Sequence, residues 1–193
     1  MLQFAVKPMW GINYLTHEGF TLPQLDQQVD MSGGAVSIGR YFTEMLDPSM
    51  NWDDVAEMVR FWNGQFCLKG IISVEDAKRA VQIGCTGIVL SNHGGRQLDG
   101  SRAAFDQLAE IVDAVGDRID VITDGEVQRG THVLSLGAKA VGVGRYYLYP
   151  LAAAGQAGVE RALGLMRVEI ERAMKLMGCT AISQLSRENL RFR

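Results

Sequence analysis

Cysteine is scarce in this sequence: Cys67, Cys85 and Cys179 are the three it has, and no two are spaced C-x-x-C. An odd, widely spaced set argues against a disulfide framework and a zinc cage. The three are expected to be buried thiols in a reducing, cytoplasmic setting, and no metal site is expected. Basic residues are not in excess either. Lys and Arg total 19 against 22 Asp and Glu, a net charge of −3, so the surplus that displaces counterions from nucleic acid is missing. Long apolar runs are also absent. No window approaches the roughly 18 consecutive apolar residues of a membrane span. The opening MLQFAVKPMWGINYL has no apolar core followed by a small-residue cleavage site. Neither a signal peptide nor a span is expected.

At 47% hydrophobic over 193 residues, the chain has enough apolar material for one domain with a sizeable core. Residues 1–50 show weak periodicity and carry turn formers at Pro23, Gly33, Gly34 and Pro48. This stretch is expected to be irregular, with at most one short helix and a disordered start. Residues 51–193 are expected to form the folded domain. It opens on NWDDVAEMVRF, whose Val55, Met58 and Val59 have amphipathic helical spacing.

From residue 66 the sequence becomes rhythmic. FCLKGII reads as a strand; Ser73 and Asp76 then resemble a capping box for the helix VEDAKRAVQI, with Gly84 as its stop. TGIVLSN with SRAAFDQLAEIVDAVG, DVITDG with a helix near 128–136, and KAVGVGR with a helix over 157–177 give three further units. Four short apolar strands alternating with helices predict a parallel sheet covered by helices. Polar and glycine residues gather at the strand ends: Lys69 and Gly70, Ser91 to Arg96, Asp124 and Gly125, Gly144 and Arg145. Function in such folds sits on that rim, so the four clusters are expected to share one site.

The run SNHGGRQLDG carries the most chemistry. His93 is of the type that titrates near neutrality, and Arg96, three residues on, offers a planar fork for a carboxylate. The plainer reading is a capped turn in which His93 satisfies backbone carbonyls. Two glycines just past a strand, which permit a ligand to approach the backbone, favour the functional one. His17 and His132 are read as surface or packing residues. The stripe Leu163, Met166, Ile170 and Met174 is read as core or interface.

Together, LKGIISVEDAKRAVQIGCTGIVLSNHGGRQLDG, TDGEVQRGTHV and GAKAVGVGRYYLYPLAAAG resemble the FMN-dependent 2-hydroxy-acid dehydrogenases and oxidases over residues 38–185. The resemblance implies an α/β fold of the TIM (β/α)8-barrel type of which strands five to eight are present, a half-barrel. It implies FMN as cofactor, His93 as catalytic base and Arg96 as the carboxylate-binding residue. It also places Lys69 near flavin N1 and the C2 carbonyl, where an ammonium stabilises the charge of the reduced ring. Asp124 is implied to meet the ribityl chain, with Gly144 and Arg145 on the phosphate. Ser91, Gly125 and Arg129 complete the implied cofactor set. Asp47 lies in the loop before the fifth strand and is not the aspartate that pairs with the catalytic histidine.

Three departures stand out. Glu126 follows Gly125 where the family commonly has a second glycine. Gln128 replaces a frequent arginine, leaving Arg129 as the candidate substitute. The helix after Thr131 is three residues short, a rotation of about 60° for Leu134 and Leu136 unless the loop absorbs it. The resemblance implies oxidation of an L-2-hydroxy acid such as L-lactate. The alternative is a non-catalytic flavin- or phosphate-binding half-barrel, or an assembly module. A generic sugar-phosphate barrel leaves the His93 and Arg96 pair unexplained. A homo-oligomer or a complementing half-barrel is expected as partner. The setting is cytoplasmic, with peripheral membrane association allowed by the resemblance.

Overall fold

The computed structural model describes residues 8–17, 35–125, 127–133 and 137–185. By contact the chain divides into two units, Met1–Asn51 and Trp52–Arg193. The first contains α1 (Pro8–Thr16) and α2 (Ala35–Met45). This is more helix than the sequence suggested, for a local reason. Proline suits a helix's first turn, where its missing N–H has no intrahelical partner anyway, and Pro8 opens α1. Pro23, Gly33 and Gly34, on which the irregular reading rested, lie outside the described residues. Pro48 sits in the turn after α2, where Ser49 N–H donates to Asp47 Oδ1 at 2.8 Å.

The second unit contains α3 (Trp52–Trp62), β1 (Cys67–Ile71), α4 (Val74–Gln82), β2 (Gly87–Leu90), α5 (Ala104–Val115), β3 (Asp120–Asp124), α6 (Gly130–Val133), β4 (Ala140–Gly142) and α7 (Arg145–Met177). The strands form one parallel sheet in the order β1-β2-β3-β4. Helix α4 begins and ends as its sequence implies. Ser73 Oγ accepts from Asp76 N–H at 3.1 Å. At the other end Gly84 N–H donates to Val81 O and Cys85 N–H to Ala80 O, a Schellman motif that needs the positive φ of Gly84, +91°.

One face of the sheet makes the core. Ile88 and Leu90 are fully buried, Val121 is 2% exposed, and α5 lays Leu108, Ile111 and Val115 against them. Burying each such side chain contributes about 1.5–3 kcal/mol. Strand alternation sends Val89 and its register partner Ile122 to the other face, where both remain half-buried.

The last helix departs from the expected 157–177. It starts at Arg145 and breaks at Ala154 and Gly155, whose backbone angles are non-helical. Pro150 lies inside the first segment, where it removes a single bond to the preceding turn without ending the helix. The cysteines also differ from expectation: Cys85 is buried, Cys67 exposed and Cys179 half-buried. Cys67 lies on the sheet face of Lys69 and Val89, opposite the helix-covered core, which is why its thiol lacks cover. In the stripe on α7, Met166 is buried and Leu163 is 46% exposed. His17 is exposed. Glu126, Leu134 and Leu136, and the His132 side chain, lie outside the described residues.

Candidate active site

All four strands point their C-terminal ends to one side, as a parallel sheet requires, and a cleft of about 1110 Å³ opens there. Its lining includes Lys69, Ser91, His93, Arg96, Asp124, Gly125, Gly144 and Arg145. Eight of the nine residues singled out from the sequence therefore meet in one place.

Ser91 sits at the centre of the polar contacts and is 1% exposed. Its Oγ accepts from Lys69 Nζ at 3.1 Å and from the His93 backbone N–H at 3.2 Å. Lys69 Nζ also lies 3.3 Å from Asp124 Oδ2. Register explains the cluster: Lys69 pairs with Val89, two residues before Ser91, and Val89 with Ile122, two before Asp124. The three side chains share one face of the sheet at its upper edge. The Lys69 and Asp124 side chains are 48% and 26% exposed, so their attraction is screened and is worth at most about 1 kcal/mol. It fixes where the ammonium rests.

The turn after β2 has unusual backbone geometry. His93 has φ +55° and Gly94 φ +68°, left-handed values that disfavour a side chain. The Asn92 Oδ1 atom accepts from Gly94 N–H at 3.0 Å, an Asx-type bond that stabilises the turn. Close packing explains two of the glycines. A Cβ on Gly70 would lie 3.2 Å from His93 Cε1, and one on Gly94 would lie 3.0 Å from Arg145 Nη2. The imidazole thus rests against β1 and the guanidinium against the His93 turn. Arg96 is exposed at the end of that turn. Gly70, Asn92 and Gly94 belong to the rim clusters expected from the sequence, with no individual role assigned there to Gly70 or Asn92; a polar residue before His-Gly-Gly was the available signal for Asn92.

Arg129 does not join the cleft. Its Nε lies 2.7 Å from Glu169 Oε1, while Gly130 N–H donates to the second oxygen, Oε2, at 2.8 Å. One carboxylate from α7 therefore holds both the arginine and the start of α6. Gly130 is required there, since a Cβ would fall 2.4 Å from the Met166 carbonyl oxygen. The Gly130 N–H first, then the Arg129 guanidinium, holds the Glu169 carboxyl below its ordinary value of 4.5. A depressed folded-state pKa contributes stability that is present above the ordinary value and lost as pH falls through the lowered one. Glu169→Gln is accordingly expected to flatten part of the acid limb of stability, read as urea midpoints from pH 6 downward. An unchanged acid limb would contradict the clamp.

Among the described residues no group of three or more His, Cys, Asp or Glu could hold a metal ion. The family model for FMN-dependent dehydrogenases matches residues 1–192. The pre-mycofactocin synthase of Mycolicibacterium smegmatis is 40% identical over 98% of this chain and 49% of its own length. The L-lactate dehydrogenase of Alcaligenes faecalis is 44% identical over 97% of this chain and 51% of its own. Among solved structures, a monotopic membrane protein, (S)-mandelate dehydrogenase, superposes with TM-score 0.87 at 32% identity, covering 100% of this chain and 51% of that one. A mandelate oxidase variant with a monooxide FMN adduct superposes with TM-score 0.65 at 46% identity, covering 69% of this chain and 44% of that one. The chain spans about half the length of these relatives. With α/β units, parallel strands and a partial barrel rim in common with them, the chain belongs to the FMN-dependent dehydrogenase family.

Proposed function

We propose that this chain forms the flavin- and substrate-holding side of an enzyme that oxidises an L-2-hydroxy acid of the L-lactate type to the 2-oxo acid. The observation that carries this is the meeting of Lys69, Ser91, His93, Arg96, Asp124, Gly144 and Arg145 on one cleft. The donor set fits FMN at both ends. Arg145 brings a guanidinium to a glycine-flanked end where nothing lies within 4 Å of a Cβ placed on Gly144, which suits a phosphate. Lys69 brings an ammonium beside a buried hydroxyl, and Asp124 an acceptor for ribityl hydroxyls. FMN, when bound, supplies the two-electron acceptor for the substrate. His93 takes a substrate proton as general base. Arg96 holds the carboxylate in two-pronged geometry and so presents the reacting carbon in one orientation. In this reading the four strands are the last four of the barrel, and Arg129, held by Glu169, stays out of the phosphate site.

Arg96→Lys is expected to raise the KM for L-lactate at least tenfold while leaving FMN affinity within twofold, because lysine keeps the charge and loses the fork. Equal loss of both would sink the assignment. The second reading is a flavin-binding half-barrel without turnover. Bound FMN that L-lactate fails to bleach would support it. No helix among the described residues is long and apolar enough to cross a membrane. A cytoplasmic chain resting on a membrane surface is consistent with the exposed Met9, Ile12 and Leu15 of the uncharged helix α1.

A further inference from the structure

The segment that carries Arg145 is folded back on the rest of α7. Tyr146 Oη donates to the Ala162 carbonyl at 2.9 Å, although the two residues are 16 apart in sequence. In a straight helix that separation spans about 24 Å. The reversal is made at Ala154 (φ −152°) and Gly155 (φ +58°, ψ −142°). The latter conformation is one that glycine adopts and side-chain-bearing residues avoid. The two arms then meet backbone to backbone: a Cβ on Gly158 would fall 2.1 Å from the Pro150 carbonyl oxygen. Pro150 weakens the first arm from within, since it cannot donate to the Tyr146 carbonyl. An arm of nine residues with an internal proline and a glycine hinge has little rigidity of its own. Its position has to come from contacts with the second arm.

We propose that Tyr146 is a positioning residue for the anion end of the cleft. Its hydroxyl, tied to Ala162, holds the first arm so that Gly144 and Arg145 face a bound phosphate. Both partners of the tie line the cleft, and the bond is part-buried, with Ala162 9% exposed. The inference rests on the FMN reading. It adds that phosphate recognition depends on a side chain that does not touch the phosphate.

The test is a fluorescence titration of the purified chain and of Tyr146→Phe with FMN and, separately, with riboflavin, which has the same ring and ribityl chain and no phosphate. The wild-type chain binds FMN more tightly than riboflavin. Tyr146→Phe keeps the ring and loses one hydrogen bond, so its FMN affinity falls roughly fivefold, the equivalent of about 1 kcal/mol, with riboflavin affinity within twofold. Gly158→Ala forces the arms apart and produces the same selective loss, more than tenfold. A wild-type preference for FMN that survives both substitutions would overturn the tie and leave the FMN reading standing. A wild-type chain without that preference would overturn the FMN reading itself. Equal loss of both flavins, or a collapse of the Tyr146→Phe unfolding midpoint, would also overturn the tie, because Tyr146 would then serve the fold and not the phosphate end.

Discussion

His93→Ala leaves FMN bound and lowers the rate of flavin reduction by L-lactate by about 10²–10⁴, the usual contribution of a positioned acid or base. The selectivity follows from the geometry. The imidazole packs against Gly70, and the Ser91 hydroxyl is bonded to the His93 backbone N–H and not to its ring. Truncating the ring therefore leaves the Lys69, Ser91 and Asp124 cluster in place. The backbone at 93 has φ +55°, which alanine tolerates no better than histidine, so the substitution does not relieve the turn. Anaerobic stopped-flow mixing of the FMN-loaded variant with L-lactate reads the rate, and a flavin titration reads the binding. Reduction within tenfold of the original rate would mean that another group takes the proton.

A purified preparation of the chain is expected to associate, as a homodimer or a larger assembly. Among the described residues β1 and β4 are each paired on one side only, which leaves backbone donors and acceptors facing outward. The sheet face opposite the core carries Val89 and Ile122, both half-buried. Apolar side chains are bare on the helices at both ends of the unit: Phe61 and Trp62 on α3 are 89% and 64% exposed, and Leu163 and Leu165 on α7 are 46% and 54%. Four parallel strands do not close a barrel. A two-fold pairing that sets β4 of each copy beside β1 of the other would give eight parallel strands with no free edge. Light scattering on a gel-filtration column is expected to give at least twice the 21.2 kDa of one chain. A monodisperse 21.2 kDa species that unfolds cooperatively would contradict the expectation.

Much of the second unit was legible in the sequence because its signals are local. Ser73 with Asp76, and Gly84 after the last helical turn, specify the two ends of α4 by hydrogen bonds within a few residues. The alternation of apolar strands with helices predicts the parallel sheet, and the rim residues follow from it. What could not be read depends on partners distant in sequence. Arg129 looked free to reach a phosphate, and its partner Glu169 is 40 residues away. The arm from Arg145 to Ala153 was hidden by Pro150, and the contact that holds it joins residues 16 apart. Cys67 looked like a core thiol because its surroundings in sequence do not say which face of β1 the helices cover.

Whether this cleft holds FMN and passes it the electrons of a 2-hydroxy acid can be read from one absorbance measurement. The chain is loaded with FMN, freed of excess flavin and oxygen, and given L-lactate. The oxidised-flavin band of the bound cofactor is expected to bleach with L-lactate, and not with D-lactate or in the His93→Ala variant. A chain that retains no FMN, or one whose bound FMN bleaches equally with both enantiomers, would contradict this expectation.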